Sequence, residues 1–423
     1  MSRIIGIRHR TKMTVEEEAR PTQVYVLFPN DKLLTYKLET EQDELNFLLG
    51  QFPTSFRNVE DGEDVSGMSD YHLKLRALKK GEADPEASRL RVIDRKKYLV
   101  QKVADTFDGL KAGDTVAMAL GGSGDYFAYA LARRGEAVGA SVMRAPSFVL
   151  KDKRGEKKKE DDAQLFAELL QTNPELFYDT RPRDLDIIRL REAYRARIEA
   201  MKARIGCEQR LRQRFIGSIF CKPDGHFPEG AVEKLYDEAK ANDAVLTALS
   251  KEEAAREREL QKLVEASDVW KNVFGDVEGM GWAIASRIMA GVVDIRRFRG
   301  KEQFKAFAGV HVLKDGRFAR RRSGAISNWH PDLRQALYLF GDQMNRRPDS
   351  VWGQKLLAYK AKFRAKHPEP IVGENGKKKY TDGHIHKMAL WRTMTKFAEW
   401  LFTQWKRLEK QAARVEVPLR KAA

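Results

Sequence analysis

The chain has 423 residues, 78 Lys+Arg against 61 Asp+Glu, and a formal charge of +17, an excess that favours a polyanionic partner. Its length predicts two or three domains, and two cysteines, Cys207 and Cys221, exclude a disulfide framework or a four-thiolate zinc site. No apolar run approaches the roughly 20 residues that span a bilayer, and residues 1–10 lack a signal-peptide core, so the expectation is a soluble cytoplasmic protein with no membrane partner.

Arg3 to Arg8 (RIIGIR) alternates apolar and polar residues, and TQVYVLFPNDKLLTYKLE repeats that period around a Pro-Asn-Asp turn. Both read as adjacent antiparallel strands. The polar interval from Asn58 to Asp70 reads as a surface excursion. Asp114 to Gly122 is a buried-strand candidate, followed by the helical DYFAYALARRG with Gly135 as its C-cap, and EAVGASVMRAP reads as a further strand closed by Pro146. This order predicts an α/β domain with a partly parallel sheet.

Lys151 to Asp162 is too charged to pack and reads as a loop or an exposed helix start. It leads into DDAQLFAELLQ, whose acids suit a helix N-terminus. From Arg183 to about Gly217 and from Glu229 to about Trp270, apolar residues recur at helical spacing among dense charges. Two long helices joined through CKPDGHFPEG predict an antiparallel coiled-coil hairpin. The domains are expected at 1–180, 181–268 and 269–423.

The stretch VEGMGWAIASRIMAGV, Val277 to Val292, has the form of a helix-hairpin-helix, in which Gly279 and Gly281 permit the tight turn. Backbone amides at such a turn meet phosphates; an αα-hairpin without a ligand is the plainer reading. From Arg296 to Arg322 the chain carries ten Lys/Arg and two acids. Charge runs are usually solvated, but directly after a glycine hairpin this one points to a nucleic-acid backbone. The candidate contacts are Gly279, Gly281, Arg296, Arg297, Arg299, Lys305, Arg317, Arg320, Arg321 and Arg322. An anionic membrane is the competing partner, yet no basic helix with an exposed aromatic edge accompanies the run. His384 and His386 sit two apart, which on a helix turns them to different faces. The tryptophans of KMALWRTMTKFAEWLFTQW read first as a packing face, and base stacking by Trp391 or Trp400 is secondary.

VEGMGWAIASRIMAGVVDIRRFRGKEQFKAFAGV, a short basic loop, and SGAISNWHPDLRQALYLF together resemble the C-terminal domain of the bridge-RNA-guided insertion-sequence transposases of the Piv/MooV type. The similarity is specific from Val277 to Leu337, and the order of elements extends it to the whole chain. It implies an RNase H-like (RuvC-like) α/β N-terminal domain, a helical coiled-coil hairpin, and a mainly α C-terminal domain with the helix-hairpin-helix. It also implies DNA as partner, a structured guide RNA, a homodimer or tetramer, and four carboxylates holding Mg²⁺ for phosphodiester chemistry. At the four positions this sequence has Arg8 (in Gly6-Ile7-Arg8), Ala119, Lys159 and Asp162, with Asp161 beside the last as a second metal-ligand candidate. Asp125, Glu16, Glu17 and Glu18 are the remaining stock of acids. A nucleophilic serine is implied several residues before Gly324, a position that falls at about Gly316 or Arg317 here; Ser323 and Ser327 are the serines nearby and Ser323 is the candidate, although a serine in a basic loop more often hydrogen-bonds a phosphate or shapes a turn. The expected function is transposition or site-specific recombination, with Asp162 and Ser323 catalytic. The incomplete carboxylate set leaves enzyme activity open and gives a non-enzymatic nucleic-acid-binding homologue as the alternative.

Overall fold

The structure, a computed structural model, describes residues 2–11, 19–30, 32–79, 81–313, 316–320, 327–372 and 378–421, without the side chains of 182 and 414–421. It divides into two compact units, 1–181 and 182–423.

In the first unit, β1 (Ile4–Arg8), β2 (Thr22–Leu27) and β3 (Leu33–Leu38) form the antiparallel meander that their alternation predicts. After α1 (Glu41–Leu49) the chain builds a sheet that the sequence pattern does not predict. It comprises β4 (Phe52–Asn58), β5 (Leu73–Ala77), β6 (Leu90–Ile93) and β7 (Lys96–Asp108), with β7 pairing all three others. The expected surface excursion is the connection between two of its strands, and Val59 and Val65 from that connection are buried with Leu73, Val100 and Val103.

The chain then returns to the first sheet through β8 (Thr115–Leu120), α2 (Asp125–Val138), β9 (Ser141–Pro146), α3 (Ser147–Arg154), α4 (Asp162–Thr172) and β10 (Tyr178–Asp179), giving the order β10-β9-β8-β1-β2-β3. β8 runs parallel to β1 and β9 parallel to β8. α2 continues past Gly135 and ends at Gly139 in the left-handed region (φ 81°). Gly135 has a packing role instead: a Cβ there would lie 2.6 Å from the Ala140 carbonyl oxygen.

β1 is buried on both faces. Ile5 and Ile7 pack with Val116, Met118, Phe127 and Leu131 on one side. On the other, a Cβ at Gly6 would lie 1.9 Å from the Ala163 oxygen and 2.8 Å from the Ala167 nitrogen, so the missing side chain is what lets α4 lie against the strand. Arg3, just before β1, is buried among Asp108, Asp114 and the Gly109 carbonyl at 2.7–2.9 Å, which fixes the entry of the strand to the end of β7.

The second unit begins with α5 (Pro182–Phe220), which runs antiparallel to α6 (Val232–Ala241) and α7 (Ala244–Ala266). The second arm is therefore two helices rather than the single one expected. Asp243 interrupts it and caps α7 by accepting from the Leu246 amide at 2.7 Å. Ion pairs join the arms: Arg197–Glu257, Arg204–Glu253, Glu208–Lys240 and Arg212–Glu233. The base of the hairpin, through Leu190, Tyr194, Leu260 and Val264, shares one hydrophobic core with α8 (Trp282–Val292), α9 (Lys301–Phe307), α10 (Pro331–Arg346), α11 (Val351–Lys366) and α12 (Asp382–Lys421). On α12 the buried set Leu390, Met394, Phe397, Leu401 and Trp405 follows helical spacing.

Candidate nucleic-acid interface

The hairpin at the start of the second unit's basic region is built on glycine. Gly279 has φ +84°, and a Cβ there would lie 3.1 Å from Cβ of Gln343, so the turn sits close on α10. Gly281 is the N-cap of α8 and offers no side-chain hydrogen bond. The Ile284 amide bonds the Gly281 carbonyl at 3.0 Å and the Met280 amide the Val277 carbonyl at 2.9 Å, which leaves the Trp282 and Ala283 amides at the start of α8 without intrahelical partners, and Gly279, Met280 and Gly281 line an open cleft of about 560 Å³ whose far wall includes Gln343 and Arg347. Asp276 and Glu278 line it too, so the turn offers amides and one arginine rather than a dense positive field.

The cations that follow divide into distinct groups. Arg296 is buried, donating to Asp294 at 2.6 Å and Asp184 at 2.9 Å, with Glu409 at 3.7 Å. Burial alone would weaken its charge, but the surrounding carboxylates outweigh it and hold the guanidinium more firmly protonated than usual. Lys305 is buried as well, against Glu302 at 2.7 Å and Glu399 at 2.9 Å. These two expected backbone contacts are inward-facing ion-pair partners, because acids from distant parts of the chain help to neutralise them. Arg297 is half-buried over the Phe298 and Phe307 rings. Arg299, Arg317 and Arg320 are exposed. Arg321, Arg322 and Ser323 lie outside the described residues.

The basic loop is anchored at both ends. Val312 bridges Phe318, and the Leu313 amide donates to the Arg317 carbonyl at 2.8 Å. Arg334, which the sequence pattern does not single out as a site residue, donates to the Ala319 carbonyl at 2.7 Å. Its guanidinium lies 4.4 Å from the Trp329 ring and 4.6 Å from the Trp391 ring, with one buried terminal nitrogen lacking a hydrogen bond. Burial lowers its pKa. His330 caps α10, its Nδ1 accepting from the Leu333 amide at 3.2 Å, which requires the neutral ring. Burial, together with nearby Arg297, lowers the His330 pKa against the pull of Asp332. Arg320 is thereby presented on a fixed base.

In the first unit, Asp162 starts α4 and is 9% exposed, held by both nitrogens of a fork from Arg154 at 2.8 Å. Asp161 accepts from the Lys158 amide at 3.2 Å. Asp125 is buried in an ion pair with Arg144. Arg8 ends β1 with its Nε buried and without a hydrogen bond. Burial and the neighbouring Arg20 lower its pKa, while Asp162 opposes them. Asp162 therefore faces two guanidinium groups, and among the described residues no group of three or more His, Cys, Asp or Glu is placed to hold a metal ion. These side chains do not fit a divalent cation; Glu16, Glu17 and Glu18 lie outside the described residues. Among those residues, too, no helix is long and apolar enough to cross a membrane.

No curated protein matches the chain. Residues 272–355, from the turn before α8 into α11, match the model of the family described as Transposase IS116/IS110/IS902 family. The hairpin, the anchored basic loop and the Trp329–Arg334 stack all fall within that segment. By this match residues 272–355 of the second unit are similar to the IS116/IS110/IS902 transposases, which supports a transposase or recombinase role.

Proposed function

We propose that this chain binds DNA in transposition or site-specific recombination, gripping sugar-phosphate backbone with the second unit, and that a structured guide RNA shares the positive surface. The observation that carries the reading is the anchored basic loop inside the matched segment, with Arg320 exposed beside the Arg334-held Ala319 carbonyl. The first unit is read as RNase H-like. Its three-stranded antiparallel meander continued by two parallel strands supports this, with the candidate carboxylate positions at the ends of β1 and β8 and the start of α4. Chains acting in pairs would suit exchange between two DNA partners.

The test is DNA binding by the full chain across a salt series. The double variant Arg317→Glu/Arg320→Glu should bind duplex at least tenfold more weakly and show a salt slope shallower by about 1 for each phosphate it no longer meets. Unchanged affinity and slope would overturn the reading.

A second reading, a homologue that binds but does not cut with its own carboxylates, is favoured by one observation. Asp162 is clamped by Arg154, with Arg8 beside it. On this reading the full chain with guide RNA and divalent metal leaves supercoiled DNA intact. Cleavage that vanished on Asp162→Ala would restore Asp162 as a catalytic residue.

A further inference from the structure

An open cleft of about 530 Å³ lies between α11 and α12, with the start of α9 at its edge. Its walls are aromatic. Trp352 and Trp400 meet edge to face at 5.8 Å, and Tyr359 lines the same space. Trp352 is 6% exposed and packs edge-on against Phe397 at 5.1 Å, so it is a fixed floor, while Trp400 and Tyr359 are half-buried. Three lysines surround these rings: Lys301, Lys355 and Lys396. Lys355 Nζ stands 4.1 Å from the centroid of the Trp352 ring. The one acid of the lining, Glu399, is already paired with Lys396 at 2.8 Å and with buried Lys305 at 2.9 Å. Lys301 and Lys355 have no ion pair among the described residues.

Each component constrains the occupant. Flat, partly desolvated indole and phenol faces suit a planar ring, since stacking on such faces is tolerant of base identity. A positive rim repels a cationic guest and attracts an anionic one. The volume matches a small-molecule-sized guest rather than a helix or a duplex. A planar ring joined to an anionic group is the chemistry of a nucleotide, and duplex bases are stacked internally and cannot enter.

We propose that this cleft takes up an unpaired nucleotide of a single-stranded segment, its base against Trp400 and Tyr359 and its phosphate at Lys301, Lys355 and Lys396. The inference rests on the nucleic-acid reading above but assigns a separate site, apart from the basic loop and specific for unpaired strand. DNA and RNA share this chemistry, so the strand type is an arm of the test.

The experiment measures affinity of the full chain for dT12, rU12 and a 12-base-pair duplex by fluorescence anisotropy, using Trp400→Ala and the surface pair Lys301→Glu/Lys355→Glu. The lysine variant keeps the test valid if Trp400→Ala unfolds, because both lysines are exposed. Each variant should lose about tenfold in single-strand affinity while duplex affinity stays within twofold. A stronger effect on dT12 or on rU12 supports the site and names the strand that occupies it. Single-strand affinity within twofold of the parent in the lysine variant overturns the proposal. So does complete competition by a poly-glutamate peptide of equal charge, which would make the cleft an acidic-peptide site. A parent that binds duplex but no single strand overturns this site alone; a parent that binds neither overturns the nucleic-acid reading as well.

Discussion

Arg296 lies within the most basic stretch of the chain, yet its geometry makes it a structural residue, and the substitution Arg296→Met separates the two roles. Its side chain is 6% exposed, and the carboxylates of Asp294, Asp184 and Glu409 lie at 2.6, 2.9 and 3.7 Å. Removing one member of a buried ion pair costs about 3–5 kcal/mol, because the partners keep their charge and lose its compensation. For a unit of this size each kcal/mol moves the midpoint by about 2–4 °C, so the second unit should melt about 6–20 °C lower at pH 7. The pH dependence has a definite sign. Burial already raises the Glu409 pKa, against the opposing effect of Arg296, and removing the guanidinium raises it further. The folded variant then holds a proton that the unfolded chain releases above its ordinary carboxylate pKa of about 4.3. Its stability is best below that value and declines as pH rises through the raised pKa, so the deficit against the parent should shrink on acidification from pH 7 to about pH 4.5. Calorimetry of the full chain at both pH values reads this directly. A midpoint lowered by less than about 2 °C at pH 7, or a deficit that does not shrink on acidification, would refute the buried-cluster reasoning; a tenfold loss of DNA affinity in the still-folded variant would return Arg296 to the interface.

Gly6→Ala should destabilise the first unit by roughly 3 kcal/mol or more, since its Cβ would lie 1.9 Å from a backbone oxygen of α4 and no side chain can yield there; urea unfolding followed by circular dichroism checks this. Arg8→Met should leave stability unchanged or raise it by about 1–2 kcal/mol, because a desolvated guanidinium with an unpartnered Nε is removed, and a loss above about 1 kcal/mol in the same assay would contradict it. His330 has a lowered folded pKa, so its contribution is fully present above the unfolded value of about 6.5 and is lost as pH falls through the folded value. Protection of the Leu333 amide, its exchange rate relative to the intrinsic rate at the same pH, should therefore fall on acidification in the parent and be low at all pH values in His330→Ala.

The N-terminal meander was readable because β2 buries alternate residues, β3 alternates between more and less exposed ones, and the Pro-Asn-Asp turn separates the two; β1, buried on both faces, was read from its short apolar run. The β4–β7 sheet was not, for a physical reason. Its β7 strand, KKYLVQKVADTFD, buries Val100, Val103 and Asp108 while most intervening side chains face water, so the period-2 signal is broken. The break between α6 and α7 falls at an Asn-Asp pair that a helical count absorbs unless the capping geometry is considered. At the candidate interface, the tight turn at Gly279 and Gly281 was legible from the glycine spacing. The inward pairing of Arg296 was not, since two of its three acids, Asp184 and Glu409, are remote in sequence. Arg334 between Trp329 and Trp391 was hidden for the same reason. Arg321, Arg322 and Ser323 lie outside the described residues.

The distinction between inward and outward cations changes what net charge can mean for binding. Ten Lys/Arg between residues 296 and 322 would suggest a very steep salt dependence if each met a phosphate. A cation at a phosphate contributes about 0.9 to the slope of log affinity against log salt, however, only where it displaces a counterion. Arg296 and Lys305 are already neutralised by carboxylates of their own unit and release none. Arg297, seated on two phenylalanine rings, has less reach than a solvent-extended arginine. Among the described residues the slope is therefore set by the exposed cations, Arg299, Arg317 and Arg320, and the buried pair acts indirectly, by tying its own segment to α12 through Glu409 and Glu399.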